Sequence, residues 1–320
     1  MPLPQWDRVP IDVQSIDAPL SRFAIFLTLN VDRDDTALKS ARKLIGGVED
    51  AVKSVGFRDL DAKLSCVVGI GADLWDRLSP HKRPQQLTPF AEVKGDKHTA
   101  PSTPGDILLH IRANRQDMCF ELERLLLDQA EAGLTVEDEV FGFRYFDARD
   151  LLGFVDGSAN PVGQNLPNSS IVGSEDKDFQ GGSYVTIQKY LHDLKAWKEF
   201  GIEKQEAVIG RTKLEDVELP DAGKDQQKAH KTLCTITDDD GTEHDILRDN
   251  MPFGSPAAGE FGTQFIGYSR NPDVTAKMIE RMFIGDPPGL HDRILDVSTA
   301  VTGVSFFAPS SKVLNDLGSD

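Results

Sequence analysis

Phe23-Ala24-Ile25-Phe26-Leu27-Thr28-Leu29, inside the segment 22–31, reads as an apolar strand, and the order of the elements after it sets the fold class. Thr36 is placed to cap a helix whose Leu38, Ala41, Ile45, Val48, Val52 and Val55 recur three and four residues apart, so they share one face. Gly56 ends it. Residues 64–70 read as a second strand, with a short helix around 72–78. Pro80, Pro84, Pro89, Pro101 and Pro104 mark 79–105 as a long loop. A third strand is expected at 107–113, a helix at 117–131 with Met118, Phe120, Leu122, Leu125 and Leu126 as apolar contacts, and a fourth strand at 140–146. Strand, helix, strand, strand, helix, strand is a ferredoxin-like unit, with its helices on one face of an antiparallel sheet.

The second half of the chain holds a coarser copy of that order. Strands are expected at 183–191, 264–268 and 304–308, and helical segments at 194–200, 202–209 and 274–283. Segments 232–237 and 244–248 form a hairpin across Asp238-Asp239-Asp240-Gly241, a strong turn signal. The likeness lies in element order, not in residues. It predicts an α+β protein of two domains, 1–147 and 148–320, with the junction near 147–160 and a surface loop over 160–182. Residues 1–20 carry four prolines and read as an irregular lead-in.

The 320 residues carry a formal charge of −17, which argues against nucleic acid or an anionic membrane surface as partner. No run is long enough to span a membrane, and Met1-Pro2-Leu3-Pro4-Gln5-Trp6-Asp7 has neither the basic start nor the apolar stretch of a signal peptide. The expected compartment is the cytoplasm. Cys66, Cys119 and Cys234 are far apart, form no Cys-x-x-Cys pair, and are expected to be free buried thiols, Cys66 and Cys234 in strand-like runs.

The chemistry concentrates in two stretches. In Ile246-Leu247-Arg248-Asp249-Asn250-Met251-Pro252-Phe253-Gly254, Arg248 and Asn250 are two apart and so share one face of an extended chain. Apolar neighbours place that face near the interior, where a guanidinium needs an anionic partner or a polar ligand. A structural ion pair at a strand end answers that need as well as a functional site does. The second stretch is Gly153-Phe154-Val155-Asp156-Gly157-Ser158-Ala159-Asn160-Pro161, which falls at the domain junction, where pockets form.

Together these stretches resemble the dye-decolorising peroxidases, and most closely the compact bacterial-type branch. Gly153-Phe154-Val155-Asp156-Gly157 is similar to that family's Gly-x-x-Asp-Gly signature, and 248–254 to its distal segment, with His230 placed 18 residues before Arg248. Residues 262–268 and 295–303 also resemble family segments. The resemblance implies two ferredoxin-like domains and one haem b per chain, held in the second. It implies a peroxidase that reduces hydrogen peroxide and oxidises dyes, phenols or similar donors by one-electron steps through a ferryl intermediate. A haem-handling protein, serving storage, transfer or iron release, is the alternative. A haem-free ferredoxin-like ligand- or RNA-binding module is a third reading, disfavoured by the acidic balance.

Of the seven histidines, His81, His98 and His244 read as solvated, His110 as a core residue, and His192 and His291 as surface or capping groups. His230 looks locally exposed; the resemblance makes it the axial iron ligand. Such a ligand is usually oriented by an acceptor on its other nitrogen. Asp296, inside Ile294-Leu295-Asp296-Val297, is the candidate, with Asp292 the neighbouring alternative. On the opposite side Arg248 is expected to stabilise charge on the departing peroxide oxygen, Asp156 to shuttle the proton, and Asn250 to position peroxide or water. Arg211, in Ile209-Gly210-Arg211-Thr212-Lys213, is a candidate partner for a haem propionate. Phe265 and Ile266 are expected to wall the pocket, with Met251 and Phe253 as further candidates. Trp197, Tyr184, Tyr190 and Tyr268 are the available electron-donor residues for bulky substrates. Self-association is implied by resemblance alone, and 311–320 does not read as a peptide that targets a nanocompartment.

Overall fold

The computed structural model describes residues 13–79, 82–130 and 132–319; most of the irregular lead-in (1–12) and His81 lie outside the described residues. The apolar run near the start forms the strand Phe23–Val31, flanked by Ile107–Ala113 on one side and Leu134–Phe143 on the other, both antiparallel. Ser65–Ile70 completes this half beyond Ile107–Ala113. The helix Asp35–Gly56 is capped by Asp34, whose carboxylate accepts the Ala37 N–H, so the helix starts earlier than a Thr36 cap would place it. With Gln116–Gln129 it buries Leu44, Ile45, Val48, Leu122 and Leu126 against one sheet face.

The second half repeats the arrangement. Ser183–His192 lies between Glu260–Ser269 and Val304–Ala308, and Leu247–Arg248 and Met251–Ser255 both pair with Glu260–Ser269. The helix Pro272–Phe283 turns Val274, Met278, Ile279 and Phe283 inward. Each half therefore has the ferredoxin-like strand order, and the fold is α+β. The two sheets meet edge to edge at Phe307 and Ile70, giving one ten-stranded sheet. The faces turned away from the helices close on each other: Phe26, Val67 and Leu108 of the first half share one core with Val185, Ile266, Tyr268 and Phe306 of the second.

Departures from expectation have physical causes. The strand Leu134–Phe143 begins earlier than 140. It is an edge strand, so Glu137, Asp138 and Glu139 can point to water and mask its pattern. The hairpin over 238–241 is short, pairing Ile236–Thr237 with Glu243–His244, because 230–233 is already a helical turn. The loop 160–182 contains the helix Asn165–Ser170. No helix among the described residues is long and apolar enough to cross a membrane. All three cysteines are free; Cys119 is buried, whereas Cys66 and Cys234 are partly buried. Cys234 follows the turn His230–Leu233 instead of lying in a strand.

The two halves are also joined electrostatically. Arg112, on the strand Ile107–Ala113, places Nη1 2.8 Å from Asp249 Oδ2, and each side chain is only 2% exposed. The structural ion pair considered for the 246–254 stretch is therefore real, but it belongs to Asp249. Asp249→Ala would leave Arg112 buried without a carboxylate, and we expect it to lower the unfolding free energy by about 3–5 kcal/mol. Urea unfolding checks this; a loss under about 1 kcal/mol, the scale of an exposed pair, would mean that the contact does not hold the halves together.

Candidate functional site

Strand alternation sends Asp249 into the shared core and its neighbours Arg248 and Asn250 to the opposite face. That face lines a cavity of two adjoining lobes that share lining residues. The inner lobe, about 170 Å³, is walled by apolar groups including Leu152, Phe154, Phe265, Met278 and Ile279. The outer lobe, about 590 Å³, carries Arg211, Lys228, Lys231 and Arg281. Val155, Asp156, Ile209, His230, Cys234 and Arg248 border both lobes.

His230 opens the short helix His230–Leu233. Its Nδ1 lies 2.6 Å from Asp292 Oδ2, in the range of a strong charge-assisted hydrogen bond. Asp292 is fully buried, and its other oxygen accepts the Ile294 N–H at 3.1 Å, capping the turn Arg293–Asp296. Asp296 is not the partner of His230: its oxygens face His98, His291 and Arg293. The neighbouring alternative, Asp292, occupies that place because the chain turns at 293 and points the two acids apart. Burial opposes a charge on His230, but Cys234 and Asp292 beside it outweigh burial and raise its pKa. With Nδ1 engaged, Nε2 is the nitrogen left for a ligand.

Asp156 and Arg248 are tied through Asn160. Its Oδ1 accepts the Arg248 N–H at 2.9 Å and its Nδ2 donates to the Arg248 carbonyl at 2.7 Å. The 153–161 stretch is thereby clamped onto the 246–254 strand. Gly153 has φ +92°, a left-handed conformation that favours glycine, whereas the Lys213 Cε that a Cβ would meet at 2.6 Å belongs to a flexible side chain that can move aside. Asn250 Nδ2 lies 3.3 Å from Asp156 Oδ1, and its Oδ1 accepts the Ile266 N–H at 3.1 Å. Burial raises the Asp156 pKa, against the opposing pull of Asn250, Arg248 and His230. The Arg248 guanidinium reaches Met278 Sδ at 3.6 Å.

The other expected site residues divide. Phe265 lines the inner lobe. Ile266 does not: the next residue of a strand points to the other face, and Ile266 is fully buried in the shared core with Met251 and Phe253. Arg211 borders the outer lobe, but its Nε and Nη1 already hold Asp216 and Glu218 at 2.6 and 2.7 Å. Trp197, Tyr184, Tyr190 and Tyr268 are all buried, so none is a surface donor. His192 is no surface group: it lines the cavity between Ser298 Oγ and Thr263 Oγ1, and burial lowers its pKa to about 4.

Two site residues escaped sequence reasoning. Asn160 stands in the quoted stretch, but its partner is a backbone 88 residues away, which no local pattern reveals. Asp150 also lines the inner lobe and accepts the Phe154 N–H at 2.9 Å. Burial pushes its pKa up to about 7, with the Phe154 hydrogen bond opposing and the Asp156 charge adding. Its only sequence signal is an acid four residues before an aromatic in the same stretch.

The sequence matches two family descriptions, "Dyp-type peroxidase, N-terminal" over residues 14–144 and "Dyp-type peroxidase, C-terminal" over residues 147–313. It is 52% identical over 307 residues to the dye-decolorizing peroxidase of Mycolicibacterium paratuberculosis, covering 96% of this chain and 86% of that protein. DyPB from Rhodococcus jostii RHA1 superposes with a TM-score of 0.92 at 52% identity, covering 96% of this chain and 98% of that one. A variant of that DypB solved in complex with haem superposes with a TM-score of 0.90 at 53% identity, covering 93% and 96%.

Asp150 gives a signed test. A carboxyl whose folded pKa lies near 7, above its ordinary 3.8, favours folding most below about pH 4, and that contribution is lost as pH rises through 7. Asp150→Asn removes the titration. We expect the wild type to lose stability relative to this variant between about pH 4 and 7 in thermal melts. Parallel pH profiles would show that Asp150 is not held protonated.

Proposed function

Because the chain belongs to the Dyp-type peroxidase family, we propose that its two-lobed cavity is a haem site with His230 as axial ligand and Arg248, Asp156 and Asn250 as the peroxide-handling face. The protein is a haem-dependent peroxidase that reduces hydrogen peroxide and oxidises dyes, phenols or similar donors. One observation carries the site assignment: His230, with Nδ1 fixed by buried Asp292, and Arg248 with Asp156 border the same cavity.

The residues suit the group. Apolar walls in the inner lobe would accept a flat macrocycle, and Arg211, Lys228, Lys231 and Arg281 of the outer lobe, each paired here with an acid, would be the partners for its carboxylates. Haem, when bound there, supplies the iron at which peroxide is reduced and from which donors are oxidised. The protein does the rest. Asp292 fixes the His230 ring and raises its basicity. The Asp156 carboxylate takes the proton from the nearer peroxide oxygen and returns it to the departing one, and its raised pKa makes it an adequate acid for the return. The Arg248 guanidinium stabilises the departing oxygen. Asn250 has one end on the Ile266 backbone and the other near Asp156, so it orients the acid. Arg211 would hold a propionate if Glu218, whose side chain is 62% exposed, gave way.

A haem-storage or transfer role would need the His230 side only. The built opposite wall, with Asn160 locking Arg248 to the Asp156 stretch, favours peroxide chemistry. The free thiols suit a reducing compartment such as the cytoplasm. Self-association and the division at 147/148 belong to the same proposal.

The test is spectroscopic and kinetic. In haem-reconstituted protein His230→Ala is expected to lose or shift the haem absorption band. Arg248→Ala is expected to slow reaction with stoichiometric peroxide by about 100-fold or more. Asp156→Ala should lose less, since water can carry a proton. Equal losses from Arg248→Ala and Asp156→Ala would sink the ranking, and an unaltered band in His230→Ala would remove the ligand assignment.

A further inference from the structure

Outside the cavity, two imidazoles that peroxide chemistry does not use converge on one carboxylate oxygen. His98 Nε2 lies 3.3 Å and His291 Nε2 2.9 Å from Asp296 Oδ1. The three donor atoms lie within 4.8 Å of one another. His98 comes from the hairpin that pairs Val93–Lys94 with Thr99–Ala100, nearly 200 residues from the turn Arg293–Asp296. The two rings, centroids 4.8 Å apart and tilted by 59°, do not stack. The second carboxylate oxygen, Oδ2, is held separately by Arg293 Nε at 2.5 Å.

We propose that His98, His291 and Asp296 form a binding site for a divalent transition-metal ion of the zinc type, ligated by the two Nε2 atoms and Asp296 Oδ1, with water completing its coordination. Two neutral imidazoles and one carboxylate form a donor set that Zn²⁺ and its neighbours prefer over calcium or magnesium. A cation between the three atoms replaces two N–H groups aimed at a single oxygen. Arg293 orients the carboxylate from behind, as partners of metal ligands commonly do. The side chains are open enough for a hydrated ion to arrive: 25% exposed for His98, 22% for Asp296 and 10% for His291. The ion would pin the 93–100 hairpin to the turn that Asp292 caps. On the haem reading above, it would thereby brace the partner of His230.

Zn²⁺ is titrated calorimetrically into the haem-loaded full chain, in which haem occupies His230 and removes the separate His230, Cys234 and Asp292 cluster from play. His230→Ala is titrated in parallel; it disables that cluster without haem, so failure of the haem reading leaves this test intact. The expected result is one saturable site per chain in both proteins. His98→Ala and the milder His98→Gln should weaken it by more than about tenfold, and Arg293→Ala by about tenfold. His244→Ala, which removes an exposed histidine paired with Asp238 at 2.7 Å, should leave it unchanged. Absence of saturable binding, wild-type affinity in both His98 variants, or loss of the site in His244→Ala would each overturn the proposal.

Discussion

The contact between Arg112 and Asp249 decides more than stability. Side chains alternate along a strand, so anchoring Asp249 to a buried guanidinium leaves Arg248 and Asn250 no choice of side. A register slip by one residue would bury Arg248 in the shared core and turn Asp249 into the cavity. The cation that faces the cavity is therefore placed by an acid facing away from it. The partner of that acid comes from the other half of the molecule, so the cavity depends on both halves even though its walls are built almost entirely from the second.

The opposite wall shows a similar economy. Asp292 caps a turn with one oxygen and holds His230 with the other, so one buried carboxylate fixes both the backbone direction at 293 and the ring of the ligand candidate. Burying an acid is costly unless its oxygens are satisfied, and here both are. Asp150 and Asp156 adopt the other solution open to buried carboxyls: their pKa values rise. Two acids that line the cavity, Asp150 and Asp156, are thus biased toward their protonated forms.

The architecture was legible because the apolar spacing in 38–55 and the runs at 23–29 and 107–113 carry their own periodicity. Edges were not: Leu134–Phe143 is polar where it meets water, so its period disappears. The site was legible where its residues sit in contiguous stretches, as with Asp156, Arg248 and Asn250. It was illegible where contacts cross the chain. Asn160 acts on a backbone, Asp292 outcompeted Asp296 through a turn direction, and His98 meets Asp296 from nearly 200 residues away. Ile266 failed for a simpler reason, since adjacent strand residues cannot both face one cavity.

The two hydrogen bonds from Asn160 have a mechanical consequence. By gripping both the N–H and the carbonyl of Arg248, they couple the 153–161 stretch to the 246–254 strand. Parting the two stretches costs both bonds at once, so breathing of the cavity that moves them together is favoured over breathing that separates them.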